Sequence, residues 1–268
     1  MDSTKNAEER IQQILTEVAQ KQDIKNYKII ADTTNNFGDG FATQFFTGKI
    51  QENDTGSITE IALKIVLDVE FDSNPIFQNE ICFYSKAYPA LDKLQREFKV
   101  SEPFDNLPTY LCGSLDPKHD FIAMKNLKPL GYVLHDKEKY LNREHLELIF
   151  RTYGRFHALS YVLRKRDNEY YHNISNNFID VSKLVAESMG KQMVAVVKAS
   201  VNALEERDKV IYEELRDFGE NATDIFIKSS MYDGNHRCWV HGDCWSNNML
   251  FKYSVRYTKL TAVFSFYF

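Results

Sequence analysis

His241-Gly242-Asp243-Cys244-Trp245-Ser246-Asn247-Asn248 is the stretch on which the reading of this sequence turns. An Asp followed five residues later by an Asn, directly after a short strand expected at Cys238-Trp239-Val240, is the pattern of a phosphotransferase catalytic loop. The carboxylate takes the proton of an attacking hydroxyl, and the amide oxygen helps hold a magnesium ion on nucleotide phosphates. The spacing lets one short turn place both groups around a γ-phosphate, and His241 is able to brace that turn by hydrogen bonding to backbone on either side. Taken alone, the octapeptide reads equally well as a polar turn in which Asp243 caps a neighbouring group. Cys238, His241 and Cys244 offer three ligands where structural zinc takes four, and no nearby Cys–His pair supplies another.

Upstream, Ile11, Ile14, Leu15 and Val18 fall at i, i+3, i+4 and i+7, which predicts an amphipathic helix from about Ala7 to Lys21. Strands follow at Tyr27–Ile30, Phe41–Ile50 and Ser57–Leu67, separated by turns at Gly38-Asp39-Gly40 and Asn53-Asp54-Thr55-Gly56. A helix opens at Pro75, and two more strands are expected near Thr109–Cys112 and Phe121–Met124. The amino-terminal part is therefore an antiparallel sheet of about five strands with a helix inserted after the third. Beyond Leu130 the pattern turns helical. Asn142 is a good N-cap for a long helix whose Leu146, Ile149, Phe150, Tyr153, Phe156 and His157 trace one face. A second helical region spans roughly Val181–Phe218.

Two further features bear on chemistry. Asn35–Phe41 lies between two strands and carries Gly38 and Gly40, which permit backbone N–H groups to approach phosphates closely. With only two glycines it also reads as an ordinary hairpin turn. Lys64 sits within the apolar strand Ile61–Leu67, where a lone ammonium is costly unless it is paired or points to solvent. Glu80 on the following helix has the type and order of a partner.

The 268 residues carry 33 Lys+Arg against 38 Asp+Glu, a net charge of −5, which leaves no basic footprint for nucleic acid. The 43% hydrophobic share is enough for a real core. The longest apolar run, Met193–Val197, is far too short to span a membrane, and the first 25 residues hold no apolar signal region. Four scattered cysteines do not make a disulfide scaffold, so a reduced, cytoplasmic setting is expected, with no obligate protein partner.

The ordered set of a glycine-bearing turn, a strand Lys64, a helical Glu80 and the His241–Asn248 loop resembles the aminoglycoside-phosphotransferase and choline-kinase group. Within it, Phe77-Gln78-Asn79-Glu80-Ile81-Cys82-Phe83-Tyr84, Gly154-Arg155-Phe156-His157-Ala158-Leu159-Ser160 and His241–Phe251 are similar to the ecdysteroid-kinase-like (CHK kinase-like) proteins over nearly the whole chain. The resemblance implies an α+β, bilobal protein-kinase-like fold: residues 1–127 as a nucleotide-binding lobe with an antiparallel sheet and a helix, and 128–268 as a mostly helical lobe. It implies ATP-dependent phosphorylation of a hydroxyl on an ecdysteroid-like steroid or similar alcohol, with ATP and Mg2+ as cofactors. Carried over, Asp243 is the catalytic base, supported by His241, and Asn248 a magnesium ligand. Lys64 contacts the α/β-phosphates and Glu80 positions it. Phe37, Gly38, Asp39, Gly40, Phe41 and Ala42 form the loop over the phosphates, and the connector Met124-Lys125-Asn126-Leu127 faces adenine with its backbone through Met124 and Asn126.

Two departures stand out. Family members carry an acidic pair where this chain has Lys125-Asn126. Met249–Phe268 contain no Asp or Glu, and Ser265-Phe266 stand about where the family has the Asp-Phe that supplies a second magnesium ligand. The chain therefore reads as truncated after the catalytic loop, with a helical lobe that is incomplete. The alternative expectation is a non-catalytic remnant that binds nucleotide weakly at most. A protein kinase is disfavoured because no Ala-Pro-Glu-type segment follows position 248.

Overall fold

A computed structural model describes residues 2–33, 44–65, 74–116, 119–204, 207–253 and 260–264. The expected phosphate loop at Phe37–Ala42 and the Ser265-Phe266 pair lie outside the described residues. The chain forms two compact units, Met1–Phe178 with Cys238–Phe268, and Ile179–Arg237. The expected lobe boundary at 127/128 falls inside the first unit.

The first unit begins with helix α1 (Asp2–Lys21), then strands β1 (Tyr27–Asp32), β2 (Gln44–Glu52) and β3 (Ile58–Ile65). Helix α2 (Asn74–Cys82) runs through a five-residue π-helical segment, Phe83–Ala87, into α3 (Tyr88–Glu97). Strands β4 (Tyr110–Ser114) and β5 (Phe121–Lys125) complete an antiparallel sheet in the order β1-β2-β3-β5-β4. This is the five-stranded sheet with an inserted helix that the sequence predicts, and the whole is the α+β arrangement of a kinase-like fold.

Both faces of the sheet are covered, and the two-residue period of a strand sorts its side chains between them. Ile61, Leu63 and Ile65 of β3 and Phe121 and Ala123 of β5 join Ile11, Ile14, Leu15 and Val18 of α1 in one buried cluster. The intervening Ile122 and Met124 join Phe77, Phe83 and Leu91 of the α2–α3 segment in another. Lys64 is paired in register with Ile122, so the same alternation turns it toward α2 and away from α1. At Gly48 of β2 an added Cβ would sit 2.5 Å from Leu15 Cδ1, so the glycine lets α1 lie close on the sheet.

Strand β6 (Val133–Leu134) and helices α4 (Arg143–Arg166) and α5 (Asn168–Ser175) follow. Asn142 caps α4 as expected, its Oδ1 accepting from the His145 backbone N–H at 3.1 Å. The buried stripe of α4 runs through His145, Ile149, Thr152, Tyr153, Phe156, Ser160 and Leu163. Leu146 and Phe150, expected on that face, are exposed, Phe150 at 71%. The apolar pattern of α4 is wider than the surface that covers it, and the sequence does not say which edge is left out.

In the second unit the helical region expected over Val181–Phe218 is present, divided between α6 (Ser182–Asn202) and α7 (Lys209–Glu220), and among the described residues it continues into α8 (Ala222–Ser230). Asp208 caps α7 by accepting from Ile211 N at 3.2 Å, and Thr223 of α8 donates to the Gly190 carbonyl of α6 at 3.2 Å.

Back in the first unit, Cys238–Val240 is not a strand, contrary to expectation. Its Trp239 N–H is spent on the Ser160 hydroxyl of α4 at 2.7 Å instead of on a ladder. Strands β7 (Met249–Tyr253) and β8 (Leu260–Phe264) then pair antiparallel, with β6 on the other side of β7, in a three-stranded sheet.

Two glycines make a matched test of this packing. A Cβ at Gly113 of β4 would stand 2.9 Å from both Ile81 Cδ1 and the Phe121 carbonyl oxygen, and the carbonyl is ladder backbone that cannot swing aside. Gly113→Ala is expected to cost about 1–3 kcal/mol, a fall of roughly 2–4 °C in melting temperature per kcal/mol for a chain of this size. Gly154 lies within α4 with nothing within 4 Å of its added Cβ. Gly154→Ala is expected to raise stability by about 0.4–1 kcal/mol. Thermal melts of the two variants beside the parent check both signs.

Candidate active site

The site is built where β3, α2 and the loop after Val240 converge. Lys64 Nζ lies 2.5 Å from Glu80 Oε2, and neither residue has any exposed surface. The ammonium also sits 5.4 Å from the centre of the Phe77 ring, one turn before Glu80 on α2. The reading of Lys64 as a solvent-facing lysine is therefore set aside. Burial is the largest influence on both partners, lowering the Lys64 pKa and raising that of Glu80 toward the neutral forms. Their mutual charge and hydrogen bond oppose this. The charge of Asp243 also acts on Lys64 and favours its protonated form, which puts the loop carboxylate within electrostatic reach of the amine. Glu80 Oε1 is buried with no hydrogen-bond partner among the described residues.

The loop is tightly wired. Gly242 has φ +81°, a left-handed turn that side-chain-bearing residues rarely adopt. That turn lets the Asp243 N–H donate back to His241 Nδ1 at 3.2 Å, so His241 does bond to the backbone across the turn. Ser246–Asn248 form one 3-10 turn. Asn248 donates through Nδ2 to the Asp243 carbonyl oxygen at 3.1 Å and to Asp243 Oδ2 at 2.9 Å. The two residues five apart thus meet directly. With Nδ2 so engaged, Asn248 Oδ1 keeps its lone pairs, a hard oxygen donor of the kind magnesium takes alongside phosphate oxygens.

The loop is seated on α4. The His241 ring, almost fully buried, meets the Tyr153 ring edge-on at 5.7 Å, and the Tyr153 hydroxyl reaches the Cys244 thiol. Burial, the Cys244 contact and the charge of Asp243 together push the Tyr153 phenol pKa well up. Just before the loop, Trp239 stacks on Tyr171 at 4.8 Å and donates from Nε1 to Ser175 Oγ at 2.9 Å. Tyr153 and Ser160 lie seven residues apart on one helical stripe. A serine inside a mostly apolar stripe is the sequence signal for the Ser160 anchor, and composition alone does not reveal its partner.

Lys64, Glu80, Asp243 and Asn248 are brought together. Met124 and Asn126 lie at the end of the neighbouring strand β5, both nearly buried. The Lys125 amide donates to the Thr109 carbonyl at 2.8 Å and the Asn126 amide to the Glu60 carbonyl at 2.9 Å. Asn126 Oδ1 accepts from Lys128 N at 3.1 Å and so caps the following turn.

Below the loop, β7 is fixed by a polar chain. His145 Nε2 lies 2.9 Å from the Tyr253 hydroxyl, His145 Nδ1 lies 2.6 Å from Asn142 Oδ1, and His135 Nδ1 reaches the same hydroxyl at 3.3 Å. Burial, and then the neighbouring His135, lower the His145 pKa, with Glu144 opposing.

A sequence model of the ecdysteroid kinase-like family matches residues 38–264, most of the chain. The chain belongs to the ecdysteroid kinase-like family. That span runs from β2 through the described part of β8 and takes in Lys64, Glu80, Asp243 and Asn248. No curated protein matches the chain. Membership makes the chain kinase-like, and the family implies a small-molecule phosphotransferase activity.

Removing one member of the buried pair strands the other charge. Lys64→Met and Glu80→Leu are each expected to lower stability by about 3–5 kcal/mol, and the double variant that combines these two apolar residues much less. Denaturant unfolding of the four proteins, combined as a double-mutant cycle, checks this. The His145 pKa is lowered on folding, so its contribution to stability is present above about pH 6.5 and is lost as pH falls through the lower folded value. Unfolding free energy is expected to decline from pH 7 toward pH 5, and His145→Gln to flatten that decline.

Proposed function

We propose that this chain transfers the γ-phosphoryl group of ATP to a hydroxyl of a small molecule, an ecdysteroid-like steroid or a similar alcohol. The observation that carries the reading is the fully buried Lys64–Glu80 pair with the Asp243 charge acting on it. Taking two such charges out of water costs several kcal/mol per ion before their attraction is counted, and a phosphate-binding lysine accounts for the cost. The acceptor oxygen attacks the γ-phosphorus and its proton passes to Asp243. The bond from that phosphorus to the bridging oxygen breaks, and the electron pair leaves on ADP. Lys64 orients the α- and β-phosphates, and Glu80 keeps Lys64 in place. The hydrogen bond from Asn248 fixes which way the Asp243 carboxylate faces. Asn248 Oδ1 is the donor that would hold magnesium, and when bound that ion offsets the charge of the phosphates. Phe37–Ala42 cover the phosphates, and Met124 and Asn126 border adenine. No helix among the described residues is long and apolar enough to cross a membrane. We place the reaction in the cytoplasm, with a small alcohol as the acceptor.

The test is product formation from ATP with a panel of steroid and other small alcohols, followed by mass spectrometry. A general base supplies about 10²–10⁴ in rate, so Asp243→Asn is expected to lower turnover at least about 100-fold. Equal rates for the two proteins would overturn the proposal. Nucleotide affinity indifferent to magnesium, with no transfer to any alcohol, is the result expected of a chain that only binds.

A further inference from the structure

His135, His145 and Tyr253 come from three separate segments of the first unit: the stretch just after β6, the first turn of α4 and the end of β7. Their polar atoms converge. His145 Nε2 lies 2.9 Å and His135 Nδ1 3.3 Å from the same Tyr253 hydroxyl, and the centres of the two imidazole rings are 4.7 Å apart. The proposed phosphotransfer uses none of the three residues.

The cluster is one hydrogen short. The other nitrogen of each ring faces an oxygen that can only accept. His145 Nδ1 is 2.6 Å from Asn142 Oδ1, the atom that also accepts from the His145 backbone N–H. His135 Nε2 is 3.1 Å from the Lys139 carbonyl, which the turn closed by the Lys139 N–H on the Asp136 carbonyl at 3.0 Å holds in place. Those two nitrogens therefore carry the ring hydrogens, and in the neutral rings His145 Nε2 and His135 Nδ1 present lone pairs. Two lone pairs face a phenol that has a single hydrogen to give. Imidazoles oriented from behind by an N–H bond to a carbonyl oxygen are the arrangement that aims the second nitrogen at a metal.

We infer that His135 Nδ1, His145 Nε2 and Tyr253 Oη bind a divalent transition ion of the zinc class, with water as the fourth ligand. Ligands about 2.0–2.1 Å from a tetrahedral ion stand about 3.3 Å from one another. The His135–Tyr253 separation has that value, and the His145–Tyr253 separation is reached by a small ring adjustment. Two imidazole nitrogens suit zinc, nickel or copper and do not suit magnesium. The ion takes the place of the phenol hydrogen, which leaves to solvent as a proton. Asp136 acts electrostatically on His135 and Glu144 on His145, so two acids help offset the added charge. Tyr253 is half exposed, and His135 lines a groove of about 490 Å³ that also reaches Ser246 and Asn247, so ion and water have a way in. The ligands lie 118 and 108 residues apart in the chain, and the ion would pin the start of α4 and the segment before it to the strand that follows Asn248 directly. The inference does not depend on the phosphotransfer reading.

The experiment uses the full chain, stripped with a chelator, without nucleotide, and the metal alone as probe. Co2+ is expected to bind as one equivalent with a Kd of about 10 μM or tighter, giving the visible absorption of a four-coordinate nitrogen–oxygen centre without a thiolate band. Zn2+ is expected to displace it, and excess Mg2+ to leave the spectrum unchanged. At Zn2+ a hundredfold above Kd the melting temperature is expected to rise by about 5–10 °C. Losing a residue that merely orients a metal ligand costs about 10–100-fold in affinity. His135→Gln, at a half-buried position, is therefore expected to weaken binding at least about 100-fold. Tyr253→Phe, which keeps the ring, is expected to change affinity in the same direction, and Cys244→Ser to leave it unchanged. Weaker binding of Co2+ to the parent chain, displacement by Mg2+, or affinity that survives both His135→Gln and Tyr253→Phe overturns the inference. Binding abolished by Cys244→Ser and accompanied by a thiolate band also overturns it, placing the ion at the Cys238–His241–Cys244 stretch.

Discussion

An ammonium sealed inside a sheet is the constraint around which the first unit is organised. Lys64 has no solvent to turn to, and Glu80, the carboxylate it pairs with, has none either. Hydrophobic residues of similar volume would fill the same space at less cost. The pair therefore speaks for chemistry more than for stability. Neighbouring features serve it: β3 alternation aims the amine at α2, Gly113 lets β4 close on Ile81 beside Glu80, and Phe77 adds its ring face to the cation.

The His241–Asn248 loop solves a different problem. It has to hold a carboxylate and an amide at fixed separation in a stretch with almost no regular structure. It does so through short local bonds, from the Asp243 amide to His241 and from the Asn248 amide to Asp243, and through two anchors to α4 at Ser160 and Tyr153. A helix long enough to offer anchors two turns apart gives the loop a rigid base, so the loop's placement is inherited from α4 packing.

Much of this was legible because the signals were local. The period of α1, the alternation in β3, the Asn142 cap and the Asp243–Asn248 spacing each concern a few consecutive residues, and the structure shows each of them. What escaped depends on distant partners. Met249–Tyr253 reads Met-Leu-Phe-Lys-Tyr with no alternation, and it becomes a strand because β6 and β8 flank it. Cys238–Val240 looks β-prone, yet its amide goes to a serine 79 residues earlier. The breaks dividing α6, α7 and α8 fall at polar residues that suit a solvated helix face as readily as a cap, as Asp208 illustrates.

The π-helical segment Phe83–Ala87 has its own consequence. A turn with an i→i+5 bond, here from the Tyr88 amide to the Phe83 carbonyl, takes in one more residue than an α-turn. Everything after it is rotated by about 100° relative to an uninterrupted helix. Glu80 upstream meets Lys64 of the sheet, and Leu91 and Leu94 downstream are buried in the cluster that also holds Ile149 and Phe156 of α4, with that offset lying between them. Chain length between residues 82 and 88 therefore acts as a phase setting. Deleting a single residue there would restore an ordinary helix and send either the carboxylate or the leucines to the wrong side, with no change in composition to betray it.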